Sequence, residues 1–488
     1  MDTRPQPRIG LGVDPVARAT PREAMATTTT LPPPEPTQSR LGVLRHGTYR
    51  LVWCTALASS IGTWMETVGV QWIVARDTRS PLVMGVLALA QLGPMLLLGL
   101  VGGVVADRVN RRTLLLVTQS VLMLVACVLA LASYEGWATP RVLVGLVLLN
   151  GTAAAFNIPA WQVLTPRLVP RAELARAIAL NSMQFNLARV VGPALAGILL
   201  AASGPTVLFV INALSFAGMV LAVWRTPDAP APPGNAKRAV ELVMEALRFV
   251  VRGTGPRALL LGELVFAALA APVLRMLALF VGEVYEAKEG MYGTMLALMG
   301  VGAVTGGLAL RLVPAWYPRH HLIPLAVVAC GVSVSLFAVA PTPALGAAPI
   351  MLVGMFWLWC FSSFSAAVHL LVNDEMRGRV MSIYNTVVFG AMPLGSMAVA
   401  LVGEGIARGM GHGADAGLAV QSGVALAGVL LAGAGLTMLV WRTPEIDGLT
   451  PEDPGGRRNP GLLRGITGAA HRPTARPEAT VPAYDPPE

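Results

Sequence analysis

Ionisable side chains stranded in apolar sequence are where this chain could do chemistry. Glu66 and Arg189 each sit deep in a hydrophobic stretch, and a charge in the bilayer centre costs ~2.5–3.5 kcal/mol on insertion scales, so each needs an account. Glu66 has Trp64, Gln71 and Trp72 as neighbours. Burial disfavours the charged carboxylate and a nearby cation favours it, so a group pulled both ways can load and release a proton. Hydration near the outer surface, or a static salt bridge, would equally account for Glu66. A second concentration is the turn Gly102-Gly103-Val-Val-Ala-Asp107-Arg108-Val-Asn-Arg111-Arg112. Its glycines would let a helix approach closely. Its acid could pair with Arg111 or Arg112, or face a helix N-terminus, and so latch two helix groups together. Any short loop between spans also collects arginines. A third set is polar and aromatic: Asn150, Asn157, Trp161, Gln162, Asn181, Gln184 and Asn186, then Met355, Phe356, Trp357, Trp359, Phe361 and Phe364. Amides within lipid must face a cavity or each other. Aromatic and methionine surfaces suit varied amphiphilic ligands, although such clusters also serve as packed core. Glu263 and Arg275 lie near opposite ends of one stretch, where both could reach headgroups.

The elements that must hold these groups are membrane helices. Of 488 residues 54% are hydrophobic and 13% charged, against about 25% charged in globular chains. The expected fold class is an all-α integral membrane protein. Twelve apolar runs, at 48–74, 82–105, 113–133, 140–162, 176–201, 205–224, 257–283, 291–312, 320–340, 346–368, 379–403 and 418–441, are each near the ~20 residues that cross a bilayer. The net charge of +9 reflects arginines between these runs, a pattern that orients helices rather than binding nucleic acid. Cys54, Cys127, Cys330 and Cys360 fall inside apolar runs, in no CxxC pair, and read as small core residues. There is no GxxxxGK[ST] phosphate loop, no nucleophile triad and no metal-ligand cluster, so neither an enzyme nor a cofactor or metal is expected.

Assigning the tails and the even-numbered loops to one face gives that face 29 of the 36 Lys and Arg, against five on the other. Both termini are therefore expected in the cytoplasm. The expected domains are a disordered N-tail at 1–44, a six-helix bundle at 45–225, a linker at 226–256, a second bundle at 257–442 and a disordered C-tail at 443–488. Met25 is a second candidate start. In the linker the apolar positions 240, 243, 244, 247, 250 and 251 make one helical stripe, which predicts a helix lying on the membrane surface. The halves repeat: a shift of 203 brings Gly192 onto Gly395, and a shift of 204 brings Gly102-Gly103 onto Gly306-Gly307.

Gly103-x-x-x-Asp107-Arg108-x-x-Arg111-Arg112 resembles the signature loop of the major facilitator superfamily, with Asn110 where glycine is usual. Gly62-Thr-Trp64-Met65, Asn157-Ile-Pro159-Ala160, Leu168-Val-Pro170-Arg171-x-Glu173-Leu174, Asn186-Leu-Ala-Arg189-Val-Val-Gly192-Pro193-Ala-Leu-Ala-Gly197 and Asp374-Glu375-Met-Arg377-Gly378-Arg379-Val resemble its siderophore-export and drug-efflux branch. The resemblance implies two pseudo-symmetric six-helix bundles rocking about a central site. It makes spans one and five neighbours, hence a Glu66–Arg189 pair. It gives Gly192-Pro193-x-x-x-Gly197 the part of an antiporter kink. Asn157, Trp161, Gln71, Asn181 and Trp357 become candidates for proton coupling or cargo contact. The function it implies is proton-coupled export of a small amphiphilic molecule by a monomer in a bacterial inner membrane, with protons, cargo and lipid as partners. An importer or facilitator of a polar nutrient or lipid, or a non-transporting sensor or assembly subunit, would share this fold.

Overall fold

A computed structural model describes residues 40–164, 168–226, 236–314, 317–372, 374–412 and 415–440. Residues 1–42 form a unit of their own, nearly all of it outside that range, and the helical body is the second unit, which starts at Val43. The tails and the proline-rich opening of the linker lie outside the described residues. Val43, which falls within the expected tail, is 1% exposed and packs against Tyr49, Val169, Ala177 and Leu180.

The described residues form thirteen α-helices: α1 Gly47–Thr78, α2 Pro81–Arg108, α3 Arg111–Tyr134, α4 Pro140–Leu164, α5 Leu174–Ser203, α6 Pro205–Trp224, α7 Ala236–Arg252, α8 Thr254–Glu283, α9 Glu289–Leu310, α10 Arg319–Val339, α11 Pro343–Leu371, α12 Asp374–Gly409 and α13 Ala416–Val440. Their ends are written in the sequence. Ser80 Oγ and Thr342 Oγ1 accept from the third backbone N–H ahead and are followed by proline at the first helical position. Asn110 Oδ1 accepts from the N–H of Arg112 and of Thr113, so the residue that departs from the signature loop caps α3. Eleven of the helices are long and apolar enough to cross a membrane by length and composition. The expected twelfth, α1, has the length at 32 residues but is less apolar. Its Ser59, Glu66 and Gln71 are turned toward neighbouring helices and buried.

Packing repeats as the sequence does. α1 packs on α5 and α6, α2 on α4, and α3 on α4 and α6; α8 packs on α12 and α13, α9 on α11, and α10 on α11 and α13. The repeated glycines make these crossings. Gly102 sits against the Ala155–Phe156 backbone of α4, and Gly306 against Met355 of α11. Gly192 touches Trp64 of α1, and Gly395 the Ala268 backbone of α8. Gly151 of α4 lies on Ala90 and Gln91, and Gly354, 203 positions on, lies on Met299. Gly103, expected to admit a neighbour, has nothing within 4 Å of its would-be Cβ. Across the halves α2 packs on α12 and α5 on α9. Cys330 and Cys360 are buried, but Cys54 and Cys127 are exposed and are not core residues.

The linker helix α7 forms as expected but is rolled relative to the predicted stripe. Ala246 and Val250 are fully buried, and α7 packs on α8 and α12. Met244, Leu247 and Val251 face outward. One line is held by protein and the adjacent line is left for another apolar surface.

Candidate functional site

Glu66 is 4% exposed and held by two amides. Its Oε1 accepts from Asn150 Nδ2 of α4 at 2.5 Å, and its Oε2 from Asn212 Nδ2 of α6 at 2.5 Å. The predicted Glu66–Arg189 ion pair is not formed. Amides on the two helices flanking α1 already occupy both carboxylate oxygens. Two glycines make that reach possible. Gly62, one turn before Glu66, has no side chain to strike Asn212, and Gly151 lets α4 lie directly on α2. Beside the carboxyl is a cavity of about 20 Å³ lined by Thr63, Thr67, Gln71, Gln91 and Asn150. That is room for about one water.

The same cavity touches the contact between the halves. Gln91 Nε2 donates to Thr67 Oγ1 at 2.9 Å, while Arg275 Nη1 of α8 donates to Gln91 Oε1 at 2.5 Å. Tyr292 of α9 donates its hydroxyl to Gln71 Oε1 at 3.1 Å and stacks on Trp72 at 5.7 Å. Arg79 stands 3.4 Å from Glu283. Gly197 of α5 lies on the backbone of Gly293 in α9. These contacts all lie toward the end of the molecule that holds the α1–α2 turn. Arg275, expected at a headgroup, is instead 8% exposed and committed to Gln91; Glu263 is 7% exposed and reaches no surface.

Arg189, midway along α5, lies with its guanidinium carbon 5.1 Å from the Phe185 ring centre and 4.3 Å from that of Phe361 on α11. Trp357, the aromatic chosen from the sequence, is instead core, 9% exposed and edge-on to Phe266 at 5.5 Å. α11 is apolar around much of its circumference, so periodicity could not say which ring would face α5. The remaining predicted residues do not converge on Glu66. Asn157 Nδ2 donates to Thr118 Oγ1 at 2.8 Å, Asn181 Oδ1 accepts from Tyr49 at 3.1 Å, and Trp161 packs against a cluster formed by Ala56, Leu115, Met219 and Val223 of α1, α3 and α6 with Ala160 and Leu164 of its own helix. Each ties helices within the first half. Arg112 donates to the carbonyl of Trp224 at the end of α6 and not across the halves, Arg108 is exposed and Arg111 is buried. The Asp107 side chain lies outside the described ones, as do those of Gln162 and Asn186. α5 runs unbroken through Pro193, with Gly192 seated on α1 and Gly197 on α9. Sequence reasoning missed Asn212, Gln91 and Tyr292. The one available signal was an amide in each of two otherwise apolar runs.

Two repeats of six long helices, closed on each other at one end around buried polar groups, define a multi-pass membrane transporter of the major facilitator type and not an enzyme. The family model for transmembrane secretion effectors matches residues 38–451, and the chain belongs to that family. It is 25% identical to the staphyloferrin A transporter of Staphylococcus aureus over 71% of this chain and 88% of that one. It is 26% identical to the multidrug efflux pump Tap of Mycolicibacterium fortuitum over 72% and 88%, and 24% identical to the enterobactin exporter EntS of Escherichia coli over 75% and 89%. Among solved structures it resembles a bacterial homolog of the human lysosomal transporter Spinster in an inward-facing, unoccupied conformation, with TM-score 0.61, 15% identity and coverage of 81% and 95%. A POT family transporter in complex with 5-aminolevulinic acid gives TM-score 0.62 at 11% identity, covering 82% and 96%.

Proposed function

We propose that this protein is a proton-coupled exporter of small amphiphilic molecules, working by alternating access between a bundle at 45–225 and a bundle at 257–442. The observation that carries the reading is Glu66 held between Asn150 and Asn212 beside a water-sized polar cavity. An asparagine amide presents a donor and an acceptor, so by turning over it serves either the ionised or the neutral carboxyl. The pocket can therefore hold Glu66 in both protonation states at little reorganisation cost. The exporter relatives support the direction of transport.

The excess of Lys and Arg at the α2–α3 end and in the tails supports a bacterial inner-membrane orientation with both termini in the cytoplasm. The closed end, with Gln71–Tyr292 and Gln91–Arg275, then faces outward. Because Gln71 and Gln91 also wall the Glu66 cavity, parting that end would open the carboxyl to outside protons. Alternating access couples the two events in this way: protonation when the outer end is open, release after it closes.

Proteoliposomes with an imposed pH gradient test the proposal. Wild type should drive cargo against its gradient with counterflow of protons. Glu66→Gln should abolish gradient-driven transport and spare cargo exchange at equal pH. Undiminished gradient-driven export by the Gln variant would overturn the assignment. Gradient-driven accumulation in the opposite direction would mark an importer.

A further inference from the structure

The guanidinium of Arg189 has a task that its surroundings do not supply. Its guanidinium carbon lies over the Phe185 ring of its own helix and over the Phe361 ring of α11. Neither ring carries an oxygen or nitrogen that its five N–H donors could bond. No hydrogen bond or ion pair to Arg189 is formed among the described residues. Charge is not balanced nearby either. The carboxylates in the middle of the described spans are Glu66 and Glu263; Glu66 is shut away by its amides, and Glu263 is buried on α8. Phe185 is itself 46% exposed, giving the cation an accessible apolar wall. The two rings come from opposite halves, so whatever sits at this arginine touches both.

We infer that Arg189, framed by Phe185 and Phe361, is the receptor for an anionic oxygen group, a carboxylate on an apolar or aromatic body, and that the cargo class is amphiphilic organic anions. The inference rests on the exporter reading and narrows it. A planar fork of donors matches a carboxylate in two parallel bonds, and the flanking rings accept the apolar body. A lipophilic cation meets an uncompensated positive charge and, among the described mid-span residues, no accessible acid. Arg189 is thus a specificity residue, with the proton carried separately on Glu66.

Three probes of one shape and different charge test this on the full-length protein in detergent and in proteoliposomes: pyrenebutyrate, its neutral amide and the matching primary amine. Pyrenebutyrate should bind at least about tenfold tighter than the amide, as expected for a charge-assisted pair of bonds, and the amine more weakly still. Arg189→Gln should bring the acid down to the affinity of the amide and leave the amide unchanged. Arg189→Lys should recover only part of the preference. Phe361→Leu should weaken acid and amide together, and it provides a second variant if the arginine substitution fails to fold, judged by its melting temperature. Equal binding of all three probes, no binding of any, or an acid preference that survives Arg189→Gln would overturn the proposal. Binding through Arg189 with no pH-driven movement would sink the exporter reading and leave the site standing. Export indifferent to cargo charge would do the reverse.

Discussion

The ligand set of Glu66 depends on a residue with no polar atom of its own. A Cβ on Gly62 would lie 2.5 Å from Asn212 Oδ1 and 2.8 Å from Ser215 Oγ. Gly62→Ala should therefore push α6 from α1 and pull an amide off the carboxyl. Overpacking of this kind costs ~1–3 kcal/mol, so a lowered melting temperature and lost gradient-driven transport should appear together. Gly103→Ala is the matched control. Its Cβ meets nothing within 4 Å, and alanine is the better helix former by ~1 kcal/mol, so stability should hold or rise. If both variants behave alike, the close α1–α6 contact is not what holds Asn212 in place. Asn212→Leu probes the same bond from the other side. It removes a donor from a buried acceptor, at a cost of ~1–3 kcal/mol, and should weaken transport nearly as much as Glu66→Gln. Asn157→Leu, which breaks only the bond to Thr118, should leave proton coupling intact.

Two elements show what sequence pattern can and cannot fix. The helices themselves were legible because lipid demands a length and an apolar composition, and each predicted run overlaps an observed helix. The glycine repeat was legible too, since Gly102 and Gly306 make equivalent crossings. Rotation about a helix axis was not. In α7 the stripe through 240, 243, 244, 247, 250 and 251 read as one surface, yet the protein takes Val250 with Ala246 and leaves Met244, Leu247 and Val251 outside. The same freedom exchanged Phe361 for Trp357 on α11. Partners across the fold were illegible for a different reason. Asn212 carries no spacing signature, and only folding brings it 146 residues back to Glu66. α7 therefore makes its own prediction. A fluorophore at Leu247 should be quenched by bromolipids in vesicles, and one at Glu245 or Arg248, which are exposed beside it, far less. Equal quenching would mean that α7 does not rest on the bilayer. At the start of α3, Asn110→Ala should cost ~1 kcal/mol through loss of its two cap bonds, and Asn110→Gly only a few tenths. The asparagine thus does the work of the glycine usual at this turn by a different route.

At the scale of the whole molecule, the state seen is closed where α5 meets α9 and α2 meets α12, with polar bonds from Arg275 and Tyr292 sealing the gap between them. If transport requires these halves to part, holding them together must stop it. The structure supplies the position for doing so. A Cβ on Gly290 would lie 3.7 Å from the Cβ of Ala201, within the ~3.5–4.5 Å that a disulfide spans. With the exposed Cys54 and Cys127 replaced by serine, the pair Ala201→Cys and Gly290→Cys should cross-link on mild oxidation. Turnover in proteoliposomes should then cease and return on reduction, while either single variant transports under both conditions. Binding from the α2–α3 end should survive the lock, because the bond only fixes a contact already made. A fully cross-linked protein that still exports at the reduced rate would show that α5 and α9 never separate, and the rocking of the two bundles would have to be replaced by motion within one of them.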